Sequence, residues 1–542
     1  MIEVHSLILE LFLWEYKLIF KLMYLKLKAD KMKYKAIKYI AMITLAITAS
    51  GCVNDEDLVQ ADPNVTTAES FWKTDEDAIK GINAAYVPLS WYGMYARNTN
   101  IMLDGRGDDV RTVSRWDLIG NVGIFNVSPS AGDITNWAFI DCYKGVSFAN
   151  QVIKNVPNID MKDQALKNRI LGQAYFLRGL YLFHAVNMWK NVPIPIDINP
   201  FQAQKPQAEG WAQVIADFSA AIDLLPVDYN TSNTLDAGQL GRATKGAAMA
   251  YLGKAYLFNK DFENAKKMFK LVIDSDKYIL MPNYADNFSI AGENNKESIF
   301  EVQFNVAAQF ASGIRLTSGR AVTFAAPDFG WTDIQPTFTL LNEFREEKTI
   351  SGQDDPRLDA TIIYNRPGMQ LYGQDFAAHY ANTPFLNDIY CRKYENTDTK
   401  FGNGAETDWL SEINERLMRY SDVLLMYAEC LNETGDTQGA YKYIQKVRNR
   451  VNLPILATTK PGMTQNQMRD QIAHERFLEF ALEGHRFDDI RRWGWLENET
   501  KLAWLKSRDT EFNGYKPGRE YFPIPQAEMD TNKFPITQNP SY

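Results

Sequence analysis

The chain has 542 residues with 67 acidic and 58 basic side chains, a formal charge of −9 at pH 7. A surface of that sign repels nucleic-acid phosphates, and no basic cluster follows residue 52, so nucleic acid is excluded as a partner. Beyond Cys52 the cysteines Cys142, Cys391 and Cys430 lie far apart, and their odd number excludes a full disulfide framework.

At the amino terminus, Lys33, Lys35 and Lys38 follow Met32, then an uncharged stretch from Tyr39 to Ala49, then Ser50-Gly51-Cys52. This is a basic n-region, a short apolar h-region and a small-residue cleavage site, too short to span a bilayer. Residues 1–51 therefore read as a signal peptide whose expected true start is Met32. Residues 1–31, with Glu10, Glu15, Lys17 and Lys21 among their apolar side chains, read as an over-extended start and not a membrane span. Cys52 looks like the lipidated cysteine of a lipobox, with Ala49 standing where leucine is commonest. Acyl chains suffice as an anchor, since each buried methylene contributes about 0.8 kcal/mol and two or more chains hold stably. Loss of residues 1–51 removes eight lysines and four acids, so −9 becomes −13. Residues 52–66, including Asp55-Glu56-Asp57, read as a solvated flexible tether.

Residues 67–542 are expected to form a single domain, although a mature length of about 490 residues could hold two or three. The reason is an internal repeat. Gly253, Tyr256, Ala265, Phe269 and Val272 align with Ala428, Leu431, Ala440, Ile444 and Val447, the small-large-small spacing of a tetratricopeptide helix pair. Weaker copies place Ala149, Val152 and Pro157 behind a helix from Asp75 to Leu89, and Phe218, Ala221 and Pro226 behind one from Leu171 to Trp189. Four helix pairs follow, around residues 75–157, 171–226, 245–277 and 419–452. Small residues let paired helices approach, while Phe218 and Phe269 fill grooves between pairs. Asn259-Lys260-Asp261 and Thr434-Gly435-Asp436 supply turns, with Gly435 suited to a left-handed helix stop. The expected fold class is mainly α, a tetratricopeptide-like scaffold with an inserted loop-rich lobe containing short strands.

That lobe comprises residues 91–136 and 278–412, which lack helical periodicity; Phe300, Val302 and Phe304 alternate as a short strand. Long aromatic-rich loops inside a compact body are usually functional, and insertions in helical repeats collect on one face, so the ligand site is expected there. Trp91, Tyr92, Tyr95, Arg97, Asn98 and Asn100 bring together flat apolar faces for the C–H surfaces of pyranose rings and planar polar groups for hydroxyls. The competing reading has Trp91 and Tyr92 capping the helix that ends near Pro88. Trp331 is a further candidate, weighed between binding and packing.

Catalytic and metal readings fall away. Asp104, Asp108 and Asp109 beside Gly105 and Gly107 lack the Asp-x-Asp-x-Asp-Gly order and closing glutamate of a calcium loop, which leaves a hydrogen-bonded turn and no metal. Glu475, Glu479 and Glu483 recur every four residues, as a glycosidase pair might. Nearby Arg476, Arg486, Arg491 and Arg492 would lower their pKa values, the wrong direction for a proton donor, so an ion-pair network tying the last helix to residues 487–493 is expected. His474-Glu475 lacks the second histidine of a zinc site, His184 reads as a core histidine, and no nucleophile elbow or phosphate loop occurs. No catalytic residue and no cofactor is expected.

Two stretches carry a family resemblance: Arg419-Tyr420-Ser421-Asp422-Val423-Leu424-Leu425-Met426-Tyr427-Ala428-Glu429, and Glu475-Arg476-Phe477-Leu478-Glu479-Phe480-Ala481-Leu482-Glu483-Gly484-His485-Arg486. They resemble the two signature segments of the SusD/RagB family, outer-membrane lipoproteins of Bacteroidetes that capture nutrients, usually glycans. Gly179-Leu180-Tyr181-Leu182-Phe183, Asn191-Val192-Pro193-Ile194-Pro195 and Tyr521-Phe522-Pro523-Ile524-Pro525 extend the resemblance over nearly the whole chain after position 60. The acidic run after Cys52 resembles the surface-export signal of such lipoproteins, and the segment around Trp331 resembles a common family segment before a helix. The resemblance implies a surface-exposed, lipid-anchored protein that binds oligo- or polysaccharide for import through a SusC-like TonB-dependent barrel. It leaves open a peptide ligand, as in RagB-type relatives, and a structural transporter lid with little ligand affinity.

Overall fold

The computed structural model describes residues 71–199, 201–230, 235–307, 316–396 and 409–542; the signal segment, Cys52 and the tether lie outside the described residues. Helix α1 (Asp75–Tyr86) starts at a capping box in which the Thr74 side chain accepts from the Asp77 backbone and Asp77 accepts from that of Thr74. Asp75, Glu76 and Asp77 in its first turn complement the helix dipole. Short helix α2 (Asn98–Asp104) follows, then the long helices α3 (Ile134–Asn155), α4 (Gln164–Trp189), α5 (Gln207–Leu224), α6 (Lys245–Phe258) and α7 (Phe262–Asp274). After the lobe come α8 (Tyr420–Glu433), α9 (Thr437–Arg450) and α10 (Gln465–Glu479).

The long helices pack in chain order: α1 on α3, α3 on α4, α4 on α5, and so through α6, α7 and α8 to α9, with α10 on α8. This is the mainly α, tetratricopeptide-like stack of four helix pairs that the repeat spacing predicts. Close approach sets the spacing within pairs. A Cβ on Gly253 of α6 would lie 2.6 Å from the Phe269 ring of α7, and one on Gly179 of α4 would lie 3.0 Å from Phe218 of α5. Phe218 also reaches the next pair, 5.5 Å from the Tyr251 ring. Asp261 and Asp436 cap α7 and α9, and Gly435 adopts φ +91° in the turn before the latter.

The lobe is held by antiparallel two-stranded ladders: β1 (Val110–Thr112) with β3 (Ile334–Pro336), β2 (Ser298–Val302) with β6 (Glu415–Arg419), and β4 (Ile362–Tyr364) with β5 (Ile389–Cys391). In β2 the alternation is functional on both faces. Phe300 meets the Phe176 ring of α4 at 4.9 Å, while buried Glu301 forms an ion pair with Arg416 across the ladder at 3.3 Å. A second apolar core around Phe329, Phe344, Ile362 and Tyr390 is closed by Phe477 and Leu478 at the end of α10, which joins lobe to stack.

Cys142 on α3, Cys391 on β5 and Cys430 on α8 are buried and unpaired, and burial raises all three thiol pKa values. His184 is a core histidine, its ring nitrogen 2.7 Å from the Tyr95 hydroxyl and its pKa pushed down to about 3 by burial.

Candidate ligand-binding surface

A 3-10 turn, Val87–Ser90, carries the chain out of α1, and the Trp91 N–H donates to the Pro88 carbonyl at 3.1 Å. The loop then tightens on itself, with Ala96 N–H on the Trp91 carbonyl and Asn98 N–H on that of Tyr92. This presents two half-buried rings. Trp91 meets Phe148 of α3 edge-on at 6.1 Å, with the Lys144 ammonium 5.2 Å over its face. Trp91 thus packs on α3 and also lines an open cavity of about 570 Å³ with Tyr92, Asp133, Trp137, Asp141 and Lys144.

Tyr92 links that cavity to a second group of rings. It stacks on Trp409 at 5.5 Å and 16°, and Trp409 meets Trp331 at 5.5 Å and 64°. Trp137 and Trp331 are 44% and 43% exposed, an unusual condition for indoles. The Tyr92 hydroxyl stays protonated: burial raises its pKa, and Asp133 outside adds to what Arg97 opposes. Trp91, Tyr92 and Trp137 line the cavity with Asp133, Asp141 and Lys144 as polar neighbours, and the contacts of Tyr92 with Trp409 and of Trp409 with Trp331 extend the aromatic group to five rings from four separate segments.

Beneath the rings sits Arg97. Its Nη2 bonds Asp333 at 3.1 Å, its Nε donates to Thr323 Oγ1 at 3.2 Å and its Nη1 to the Tyr92 hydroxyl at 3.3 Å. The guanidinium carbon lies 4.7 Å from the Trp331 ring centre, 5.2 Å from Trp116 and 5.3 Å from Trp409.

Of the residues singled out in sequence, Trp91, Tyr92 and Trp331 reach this surface, whereas Tyr95, Arg97, Asn98 and Asn100 are buried. Tyr95 is spent on His184, the Asn98 amide on the Ile134 carbonyl at 3.1 Å, and the Asn100 amide on the Tyr95 carbonyl at 2.9 Å. Asn98 and Asn100 face inward because α2 runs into the core, while Tyr95 and Arg97, just before it, are held inward by their bonds to His184 and to Thr323 and Asp333. Trp137, Trp409 and Trp116 were not singled out. Trp137 lies off the face of α3 that buries Ala138, Cys142, Val146 and Ala149, a pattern that marks an exposed indole.

Another cavity, about 550 Å³, lies between the repeat ends and the carboxy-terminal segment. Its indoles are already covered, Trp493 by Arg492 at 4.8 Å and Trp495 by Lys501 at 4.7 Å, and Arg469 and Lys501 are paired with Glu433 and Asp470 at 2.7 Å.

The acidic residues near the end of α10 are held in buried ion pairs. That helix stops at Glu479, and positive φ at Leu482 (60°) and Gly484 (73°) turns the chain, so Glu483 does not share its face. Partners also come from afar. Arg357 holds Glu475 at 2.7 Å and Glu479 at 3.1 Å, while Arg419 holds Glu479 at 3.0 Å and Glu483 at 2.8 Å. Burial pushes the Glu479 carboxyl up, but Arg450, Arg419 and Arg357 outweigh it and hold the group well below the usual carboxylate range. The sequence neighbours go elsewhere: Arg476 to Asp422 and Asp489, Arg486 to Asp108, Arg491 to Asp488, and Arg492 to Glu429 and Asp489. The expected hydrogen-bonded turn is present, with Gly107 N–H donating to the Asp104 carbonyl at 3.1 Å, and the side chains add long-range bonds: Asp104 pairs with Arg320 at 3.0 Å, Asp108 with Arg508 at 2.6 Å, and Asp109 accepts from the Leu482 N–H at 3.0 Å. Among the described residues no cluster of His, Cys, Asp and Glu is arranged for a metal, and no helix is long and apolar enough to cross a membrane.

A model of the SusD family matches residues 296–542, and a SusD-like model described as starch-binding and associating with the outer membrane matches residues 110–257. SusD-like protein P25 of Formosa agariphila is 24% identical over 519 residues, 89% of this chain and 94% of that protein. The crystal structure of a SusD superfamily protein from Bacteroides vulgatus superposes with a TM-score of 0.76 at 28% identity, over 87% of this chain and 100% of that one. A laminarin-binding SusD-like protein superposes with a TM-score of 0.68 at 25% identity, again over 87% of this chain and 100% of its own. Helical stack, signature segments and family matches agree, and the chain belongs to the SusD/RagB family.

Proposed function

We propose that the protein captures glycan at the outer-membrane surface, held there by a lipidated Cys52, and delivers it unaltered to a SusC-like TonB-dependent barrel. The observation that carries this reading is the aromatic group at Trp91, Tyr92, Trp137, Trp331 and Trp409, of which Trp137 and Trp331 are exposed and the others half-buried. Flat indole and phenol faces suit the C–H faces of pyranose rings, and the neighbouring carboxylates suit sugar hydroxyls. Starch and laminarin are named for a matching family description and a structural relative, which supports saccharide as the ligand class. A surface-tethered binder needs a channel to move its ligand inward. Co-purification of a barrel from mildly solubilised outer membranes tests that partner, and repeated recovery of the protein alone with ligand present counts against it.

Ring truncation gives the direct test. Trp331→Ala and Trp409→Ala should each weaken binding of a matched oligosaccharide about tenfold or more, as for aromatic hot spots, while leaving the helical stack folded. Calorimetry on purified variants reads the loss. Folded variants that bind like wild type would remove the ring surface as the site; wild type that takes peptides and not saccharides would favour the RagB-like ligand, and wild type that binds neither would leave the lid reading.

The same reading expects no turnover, because the carboxylates of α10 are committed to arginines. Incubation with candidate polysaccharides should release no new reducing ends. Release that disappears in Glu479→Gln would overturn it.

A further inference from the structure

Trp409 is the ring that joins the others, and its own position needs explaining. It adopts φ +53°, a left-handed conformation that a bulky side chain rarely takes, so surrounding contacts must over-determine it. One wall of its seat is Tyr92, stacked at 5.5 Å, and another is the Arg97 guanidinium at 5.3 Å. The third is backbone. A Cβ built on Gly319 would fall 2.6 Å from Trp409 Cε3 and 3.0 Å from its Cδ2. Gly319 has φ −95°, which any residue adopts, so the glycine serves ring clearance and not backbone conformation. Its N–H donates to the Ala96 carbonyl at 2.7 Å, tying this wall to the residue beside Arg97.

Resting on the reading of the ring surface as the ligand site, we infer that Arg97 and Gly319 are positioning residues that seat Trp409 between Tyr92 and Trp331. The guanidinium donates to Tyr92 on its own loop and to Thr323 and Asp333 on a segment distant in sequence. It touches no ligand; it makes separate loops into one pre-organised aromatic surface. Lysine keeps the charge but loses the planar fork, so it does not replace arginine here.

The test is fluorine NMR on protein carrying 5-fluorotryptophan, with the Trp409 resonance assigned by its absence in Trp409→Phe, alongside titration with maltoheptaose and laminariheptaose. Gly319→Ala, Arg97→Met and Arg97→Lys should each shift the Trp409 resonance. The same variants should lose about tenfold in affinity for whichever saccharide wild type binds, comparable with Trp409→Ala. The resonance of buried Trp189 should stay in place, showing an intact stack. A displaced Trp409 with wild-type affinity overturns the inference. So does weakened binding in both Arg97 variants with the Trp409 resonance unmoved, which would make Arg97 a direct contact. Should Gly319→Ala fail to fold, the Arg97 pair decides alone. If Trp409→Ala binds like wild type, the ring-surface reading falls and takes the inference with it; if Trp409→Ala weakens binding while the positioning variants do not, the inference alone falls.

Discussion

Replacing Arg419 by methionine should cost the folded body about 3–5 kcal/mol, the range for breaking a buried ion network on one side. The guanidinium bonds Glu297 at 2.6 Å, Glu479 at 3.0 Å, Glu483 at 2.8 Å and the Ser421 hydroxyl at 2.6 Å, all buried. Methionine keeps much of the aliphatic stem and leaves the carboxylates short of their cation. The loss should also depend on pH. Glu479 and Glu483 have folded pKa values held below the ordinary range, so the stability they contribute is present above about pH 4.3, the unfolded value, and is lost as pH falls through the folded ones. Asp109, Glu415 and Glu511, each pushed up to about 7 chiefly by burial, act in the opposite sense and lose stability as pH rises toward 7. The difference between wild type and Arg419→Met therefore isolates the network. Denaturant titrations should show that difference largest at neutral pH and shrinking below about pH 4. A difference independent of pH would count against the assignment.

Cys52→Ala should move the protein from the membrane to the soluble fraction. An anchor of two or more acyl chains, at about 0.8 kcal/mol per buried methylene, is effectively complete, and its removal takes the whole of that attachment away. Labelled palmitate should enter wild type and not the variant. An unlabelled variant that still sediments with outer membranes would mean that another attachment exists.

Much of the scaffold was legible because helix pairing leaves a local signature. Gly253 and Phe269 stand at a fixed separation, and the close approach this pattern demands is the contact observed. The site was legible only in part. An aromatic loop after α1 pointed to Trp91 and Tyr92, but composition does not distinguish a ring on the surface from one facing inward. Tyr95, Asn98 and Asn100 share the same ten residues and are buried, the asparagines because α2 enters the core and Tyr95 against His184. Trp409 was missed for another reason. It follows a run of small and polar residues, and its nearness to Tyr92 arises from tertiary folding across some three hundred positions of sequence, a separation of the kind local patterns do not encode. The partners of Glu479 escaped for the same reason: Arg357, Arg419 and Arg450 are distant in sequence, while the adjacent arginines serve other acids.

The three separated thiols give the native chain its own gauges of local opening. Cys142 reads the amino-terminal helices, Cys430 the last repeat and Cys391 the lobe, and each is shielded and protonated while its surroundings stay closed. A thiol reagent reaches each only when its own neighbourhood breathes, so the relative labelling rates rank the mobility of lobe against stack without introducing any probe.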